Sequence, residues 1–176
     1  RTVLMNKTLF VLLLLVASFS PAVADSGNVK TNTVKNMYND TIKLNRKGQD
    51  IDNLDTLFKY ADKSLQNAVA LSNMNRMDED QQEDEYTECH DAFEAFSLGT
   101  SNGFGLEEAK NISYKLLKND RVRASINYTG KDNINSPKFM NYVDYSLKCT
   151  SSSCKITDIH DTDGSSMKSY VEKVCR

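Results

Sequence analysis

The chain has 176 residues, with 22 basic and 24 acidic side chains and a formal net charge of −2. This balance argues against a general nucleic-acid binder, because neutralising phosphates requires a basic stripe. The length suits one domain with a sizeable core, and four cysteines suit disulfide bonds in an exported protein.

The first 24 residues have the pattern of a secretory signal peptide. Lys7 precedes an apolar run at 9–16, and Ala22-Val23-Ala24 matches the small-x-small site of signal peptidase. The run is shorter than the about 20 apolar residues that a spanning helix needs. We therefore expect a mature chain from Asp25, without stable membrane insertion, in a periplasmic or secreted location. Removal of this segment takes away two basic residues and leaves a net charge of −4.

Two amphipathic helices are predicted at the start of the mature chain. The first covers about residues 29–46, and Gly48 is a plausible stop. The second follows Asp50 or Asp52, either of which could cap it. Each helix has an apolar stripe that predicts a core-facing side: Val34, Met37, Tyr38, Thr41 and Ile42 in the first, and Leu54, Leu57, Phe58, Ala61, Leu65 and Val69 in the second.

An acidic run without any basic residue follows at 78–85 and leads into a third helical stripe that contains Tyr86, Cys89, Phe93 and Phe96. One interpretation is a solvated helix start, because the helix dipole favours acidic residues in a first turn. The other is a binding surface for a basic partner protein such as a toxin, which would offset the repulsion among six carboxylates. The candidate partner-binding residues are Asp78, Glu79, Asp80, Glu83, Asp84 and Glu85.

Three short patterns resemble chemical sites, and each has a structural explanation. Cys89 and His90 are adjacent, but a nucleophile needs a free thiol and a zinc site needs four ligands. The glycine-rich loop 98–105 lacks the Gly-Lys-Ser/Thr ending of a P-loop. The segment 161–164 resembles part of a calcium loop with its glycine at the wrong offset, so we interpret it as a cap. We predict that Asp163-Gly164-Ser165-Ser166 forms the turn and helix cap that begin the last element. We predict no catalytic residue, cofactor or metal ion.

From residue 112 onward, apolar and polar residues alternate in four segments, which predicts two hairpins joined in an antiparallel meander. Cys149 and Cys154 flank the turn of the second hairpin, where facing residues come within disulfide distance. Their pairing leaves Cys89 with Cys175. A short helix ends the chain, with an apolar stripe formed by Met167, Tyr170, Val171 and Val174.

Helices first and a sheet afterwards predict one α+β domain over residues 25–176, with N-terminal helices packed on a curved four-stranded meander and a short C-terminal helix. This order, with Lys155-Ile156-Thr157-Asp158-Ile159 and the segment 165–171, resembles small exported proteins of the nuclear transport factor 2-like, or cystatin-like cone, superfamily. The resemblance implies a cone-shaped sheet with a pocket between the helices and its concave face. Some bacterial immunity proteins, which neutralise toxins, use a similar fold.

Two functional hypotheses follow. The first is a non-catalytic periplasmic binding protein, for example an immunity protein that binds a toxin. The alternative is a small-ligand binder or an enzyme with its site in the cone pocket, since such cones host both. Tyr128, Tyr142 and Asp144 are polar candidates for a pocket, but alternation places Asp144 on the face opposite Val143 and Tyr145. Two or more buried carboxyl or imidazole groups converging in the pocket would favour the alternative.

Overall fold

The computed structural model describes residues 26–46, 53–79, 89, 96, 98, 105–106, 109–128 and 139–175. Within these ranges the chain forms an α+β fold, as predicted. Its elements are α1 (Ser26–Asn45), α2 (Asn53–Tyr60), α3 (Lys63–Glu79), β1 (Ala109–Leu116), β2 (Val122–Tyr128), β3 (Phe139–Cys149), β4 (Cys154–His160) and α4 (Met167–Val174). The predicted signal peptide, the predicted stop at Gly48 and the predicted caps Asp50 and Asp52 lie outside the described residues.

Helix α1 lies across the sheet and contacts all four strands. Its buried side chains include Val34, Met37, Tyr38 and Thr41, which recur at intervals of one helical turn. The predicted first helix and its core-facing stripe are therefore confirmed.

The predicted second helix is two helices, because the chain leaves the helical path at Ala61 and Asp62. Ala61 forms a parallel bridge with Ile156 of β4, and the Asp62 amide donates to the Ile156 carbonyl at 2.8 Å. Asp62 Oδ1 accepts a hydrogen bond from the Leu65 amide at 2.9 Å, which is the geometry of a helix N-cap. These contacts explain the break, since they close the edge of β4 and start α3.

One residue of the predicted stripe does not face the core. Helix α2 buries Leu54 and Leu57, whereas Phe58 is 41% exposed. The other predicted stripe positions after the break, Ala61, Leu65 and Val69, are buried. The prediction of Phe58 as a core residue was wrong, because α2 also buries Thr56 and so directs its core-facing side away from Phe58.

The four strands form one antiparallel sheet in the order β1-β2-β3-β4, which confirms the predicted meander. Residues of β2 alternate strictly, and Val122, Ala124, Ile126 and Tyr128 are buried. The side chains that pack with these residues against α1 define the inner face of the sheet. Side chains at the intervening positions define its outer face.

Strand β4 departs from strict alternation, since Ile156 and Ile159 are both buried although they are three residues apart. Leu147 of β3 pairs with Ile156, and Ser146 pairs with Asp158, so Thr157 is an additional residue in β4. This β-bulge keeps both isoleucines on the inner face. It also places Asp158 and His160 on the outer face.

Both predicted disulfide bonds are present. Cys149 and Cys154 pair directly across the β3–β4 hairpin with their Cα atoms 4.0 Å apart, and Cys89 is bonded to Cys175 with a Cα separation of 4.9 Å. No cysteine is free. Two disulfides are consistent with an oxidising, extracytoplasmic compartment. None of the helices in the described ranges is long and apolar enough to cross a bilayer.

Candidate functional site

The outer face of the two central strands carries an arginine stacked on a tyrosine. Arg123 of β2 faces Asp144 of β3, and two hydrogen bonds of 2.7 and 2.8 Å join the guanidinium to the carboxylate. The guanidinium carbon lies 4.1 Å from the centre of the Tyr142 ring. Tyr142 in turn donates a hydrogen bond to the Thr162 carbonyl at 2.9 Å. We name Arg123, Tyr142 and Asp144 the arginine–tyrosine platform.

The surroundings of this platform hold the Arg123 guanidinium in its charged form. Asp144 is only 4% exposed, whereas the Arg123 side chain is 35% exposed. The hydrogen bonds that the Arg123 guanidinium donates to Asp144 raise the pKa of the guanidinium, so the arginine stays protonated. A planar guanidinium held by a bidentate carboxylate and stacked on an aromatic ring has little rotational freedom. The platform is therefore preorganised and partly open to solvent.

A serine and a histidine lie next to the platform on the outer face. His160 of β4 pairs in register with Asp144, and its Nε2 atom lies 2.9 Å from Ser146 Oγ. Asp158 Oδ2 lies 3.8 Å from the same Nε2 atom. The Nδ1 atom of His160 is buried and has no hydrogen-bond partner among the described residues. Serine, histidine and aspartate side chains thus lie close together on the outer face.

The arrangement does not match a nucleophilic triad. In such a triad the carboxylate holds Nδ1–H, which leaves Nε2 free to take the serine proton. Here the Asp158 carboxylate and Ser146 share the Nε2 side of His160. The nearby negative charge favours the tautomer with its proton on Nε2, which then donates to Ser146 and cannot act as its base. We interpret the cluster as structural.

Asp158 has a structural role, because its carboxylate accepts hydrogen bonds from the first turn of α4 and from its N-cap. Its Oδ2 atom accepts a hydrogen bond from Ser166 Oγ at 2.6 Å, and its Oδ1 atom accepts from the Lys168 amide at 3.2 Å. Ser166 is the N-cap of α4 and accepts from the Ser169 amide at 3.0 Å. The predicted cap is therefore confirmed.

The preceding segment forms the predicted turn. Asp161 Oδ1 accepts hydrogen bonds from the amides of Asp163 and Ser165 at 3.1 and 3.0 Å, and Gly164 has a φ of +89°. Hydrogen bonds from Ser165 lower the pKa of Asp163. In the described part of the chain, no three histidine, cysteine or acidic residues lie close enough to hold a metal ion.

The inner face is filled by tyrosines where the cone resemblance implies a pocket. Tyr38 of α1 and Tyr145 of β3 are fully buried, and their ring centres lie 6.2 Å apart. The Tyr114 ring of β1 lies 5.8 Å from Tyr38. Burial raises the pKa of all three hydroxyls above the usual tyrosine value, so they are neutral. The buried residues Asp144 and His160 converge on the outer face instead.

The predicted acidic surface lies mostly outside the described residues. Asp78 and Glu79 are the last two residues of α3, so they end a helix and do not start one. The helix dipole favours acidic residues at the opposite end, and it does not account for these two. Asp80, Glu83, Asp84 and Glu85 are not among the described residues.

The structure describes one of the two residues of the cysteine–histidine pattern. Cys89 is helical, buried and bonded to Cys175, so it offers no thiol for nucleophilic chemistry. His90 lies outside the described residues.

Sequence reasoning named Tyr142 and Asp144 of the platform but missed the other residues of the outer-face site. Alternation placed Asp144 on the outer face, but Arg123, Ser146 and His160 were not singled out. No local signal pointed to Arg123, because its alignment with Asp144 depends on the register between β2 and β3, which neither hairpin turn sets.

Comparison with known proteins does not identify the chain. No protein-family model matches it, and neither a curated protein nor a solved structure matches it. The function therefore has to be argued from the residues of this chain.

Proposed function

We propose that this chain is a non-catalytic binding protein that recognises a folded partner protein outside the cytoplasm. The arginine–tyrosine platform carries the proposal. Arginine and tyrosine dominate binding hot spots, and side chains that are already ordered lose less entropy when a partner binds. Arg123 is held by Asp144, and Tyr142 is held by the Thr162 carbonyl, so both are ordered before contact.

The absence of a catalytic role is supported by the geometry of the neighbouring cluster. His160 presents the same nitrogen to Ser146 and to Asp158, which suits a structural hydrogen bond and does not activate the serine. The alternative of a ligand or substrate pocket on the inner face has less support. Tyr38 and Tyr145 occupy the space between α1 and the sheet where that pocket would lie.

The finer parts of the proposal come from the sequence. The signal-peptide pattern of residues 1–24 favours export, and the resemblance to the cone superfamily favours the bacterial periplasm and an immunity protein that neutralises a toxin. A basic partner would suit the acidic run at 78–85, because opposite charges speed association and offset repulsion within the run.

A capture experiment tests the platform. The mature chain, immobilised, is exposed to the extracytoplasmic fraction of its native host in three forms: wild type, Tyr142→Ala and Tyr170→Ala. Tyr170 is a partly exposed tyrosine on α4 that is not a platform residue, and it serves as the matched control. We expect one partner to be retained by the wild type and by Tyr170→Ala and to be lost with Tyr142→Ala. Equal retention by all three folded forms would exclude the platform.

The acidic run is tested separately by changing Asp80, Glu83, Asp84 and Glu85 to lysine. If the partner is basic and binds this run, its capture should fall with this variant and with rising salt concentration. Capture that is equal for the wild type and the lysine variant and insensitive to salt would contradict the basic-partner proposal. The role of the platform is tested separately by Tyr142→Ala.

A further inference from the structure

The two edges of the sheet differ in how they are covered. Strand β4 is closed by Ala61 and Asp62, which contact Ile156, and by a bridge between His160 and Ser166. Strand β1 pairs with β2 on one side only, and no described residue pairs with its other side. An unpaired strand presents a row of main-chain donors and acceptors to which another strand can bond.

Several side chains of β1 are exposed along this edge. Ile112 and Tyr114 on the inner face are only half-buried, and Leu116 is 40% exposed. Ser113 and Lys115, which face the β2 residues Ser125 and Arg123, are exposed on the outer face. One side of the edge therefore has apolar surface left to cover, and the other side is polar.

The charge of β1 indicates which kind of strand could pair with its open side. Lys110 and Lys115 are exposed, Lys118 follows in the turn, and the strand itself contains no acidic residue. A second copy that paired through β1 would bring the lysines of both strands together, and such like-charge contacts are unfavourable. Lysines are a common protection of edge strands against self-association. An acidic strand would instead be attracted.

We propose that β1 binds an extended peptide segment of a partner protein as a fifth strand, and that this segment alternates apolar and acidic residues. Its apolar side chains would cover Ile112, Tyr114 and Leu116, and its acidic side chains would lie beside Lys115. Main-chain hydrogen bonds supply affinity in such strand addition, and alternate side chains supply specificity. The proposal uses the edge strand β1 and no residue of the arginine–tyrosine platform, which lies on the central strands β2 and β3.

The probe is a fluorescent peptide of five Val-Glu repeats, titrated with the mature chain and followed by anisotropy. We expect saturable binding that weakens about tenfold or more in the double variant Lys110→Glu/Lys115→Glu, because the exposed lysines of β1 that attract an acidic peptide become glutamates that repel it. The matched control is Lys43→Glu/Lys173→Glu, which changes two exposed lysines of α1 and α4 by the same total charge and should bind as the wild type does. Equal weakening in both variants would overturn the proposal in favour of general charge attraction.

Two further probes test whether the peptide forms a strand. Alternate N–H groups of a strand point to the same edge, so methylation of the Val nitrogens and of the Glu nitrogens should have different effects. One methylated peptide should lose binding and the other should keep it. Amide hydrogen exchange should also slow in β1 when the unmethylated peptide binds. Binding by both methylated peptides, or a β1-dependent dimer of this chain seen by sedimentation without peptide, would overturn the proposal.

Discussion

Tyr38 and Tyr145 meet in the core, and their hydroxyl groups form a hydrogen-bond chain with a fixed direction. Tyr38 donates to the Leu98 carbonyl at 2.8 Å, so its oxygen is left to accept from Tyr145, also at 2.8 Å. A tyrosine hydroxyl has one hydrogen to donate, and this settles which residue is the donor in the pair. The two hydroxyls are therefore not equivalent for stability.

We expect Tyr38→Phe to reduce the free energy of unfolding by about 2 kcal/mol, because it leaves the Leu98 carbonyl and the Tyr145 hydroxyl buried without partners. Tyr145→Phe leaves Tyr38 bonded to Leu98 and should cost about 1 kcal/mol. Urea unfolding at neutral pH measures both, and an unchanged m-value confirms that the two unfolding transitions are comparable. A larger loss for Tyr145→Phe would contradict the assigned direction.

Asp40 of α1 provides a prediction on pH. Hydrogen bonds from Lys59 at 2.6 Å and from Tyr60 at 2.8 Å lower the pKa of Asp40 below its ordinary value of 3.8. A carboxyl whose pKa falls on folding stabilises the protein above its unfolded pKa, and this contribution disappears as the pH falls through the folded pKa. Asp40→Asn should thus be slightly less stable than the wild type at pH 7.

The difference between the wild type and Asp40→Asn should shrink below about pH 4, as Asp40 becomes protonated in the folded state. Urea unfolding at pH 7, 5, 4 and 3 measures this trend. Asp55→Asn, at an exposed position on α2, controls for the loss of one negative charge. A difference that stays constant or grows toward pH 3 would contradict the assigned role of Lys59 and Tyr60.

The platform shows why single residues were harder to predict than strands. The face of Asp144 followed from alternation, which is a property of its own strand. The partner Arg123 depended on the register between β2 and β3, and the sequence between those strands does not fix it. The Nδ1 atom of His160 has no hydrogen-bond partner among the described residues, and no local pattern predicts such an atom.

The junction between α2 and α3 shows the same limit for helices. The apolar stripe from Leu54 to Val69 is continuous in the sequence, so it predicted one helix. The break at Ala61 and Asp62 arises from contacts with Ile156, which is about 95 residues away in the sequence. The bulge at Thr157 was missed for a similar reason, because it becomes visible only through the register between β3 and β4.

The cap at this junction can be tested directly. Asp62 Oδ1 accepts from the Leu65 amide, so Asp62→Ala should lower the free energy of unfolding by about 1 kcal/mol. Asp62→Asn keeps a side-chain acceptor and should retain most of the stability. Urea unfolding of the three proteins measures the difference. Equal losses for Ala and Asn would indicate that charge, and not the cap hydrogen bond, stabilises the start of α3.

At the level of the whole chain, the α+β class and the meander were predictable from short stretches of sequence. Apolar residues recur about every 3.6 residues in a helical segment and every 2 residues in a strand, so each segment shows its own type. The disulfide pairing was predictable for a different reason. One hairpin brought Cys149 and Cys154 together, and the remaining pair followed by elimination. The bond between Cys89 and Cys175 then joins two regions that no short-range pattern connects.

The two disulfides should contribute unequally to stability. Cys89 and Cys175 are 86 residues apart, whereas Cys149 and Cys154 are 5 apart. In the chain-entropy model, closing the longer loop stabilises by roughly 4–5 kcal/mol and closing the shorter loop by roughly 2 kcal/mol. The double variant Cys89→Ala/Cys175→Ala should therefore unfold at a much lower urea concentration than Cys149→Ala/Cys154→Ala.

Peptide mapping without reductant should recover the two native pairs in the wild type. A fragment that links Cys89 to Cys149 would contradict the pairing, and equal losses in the two variants would show that loop length does not set the order of stability.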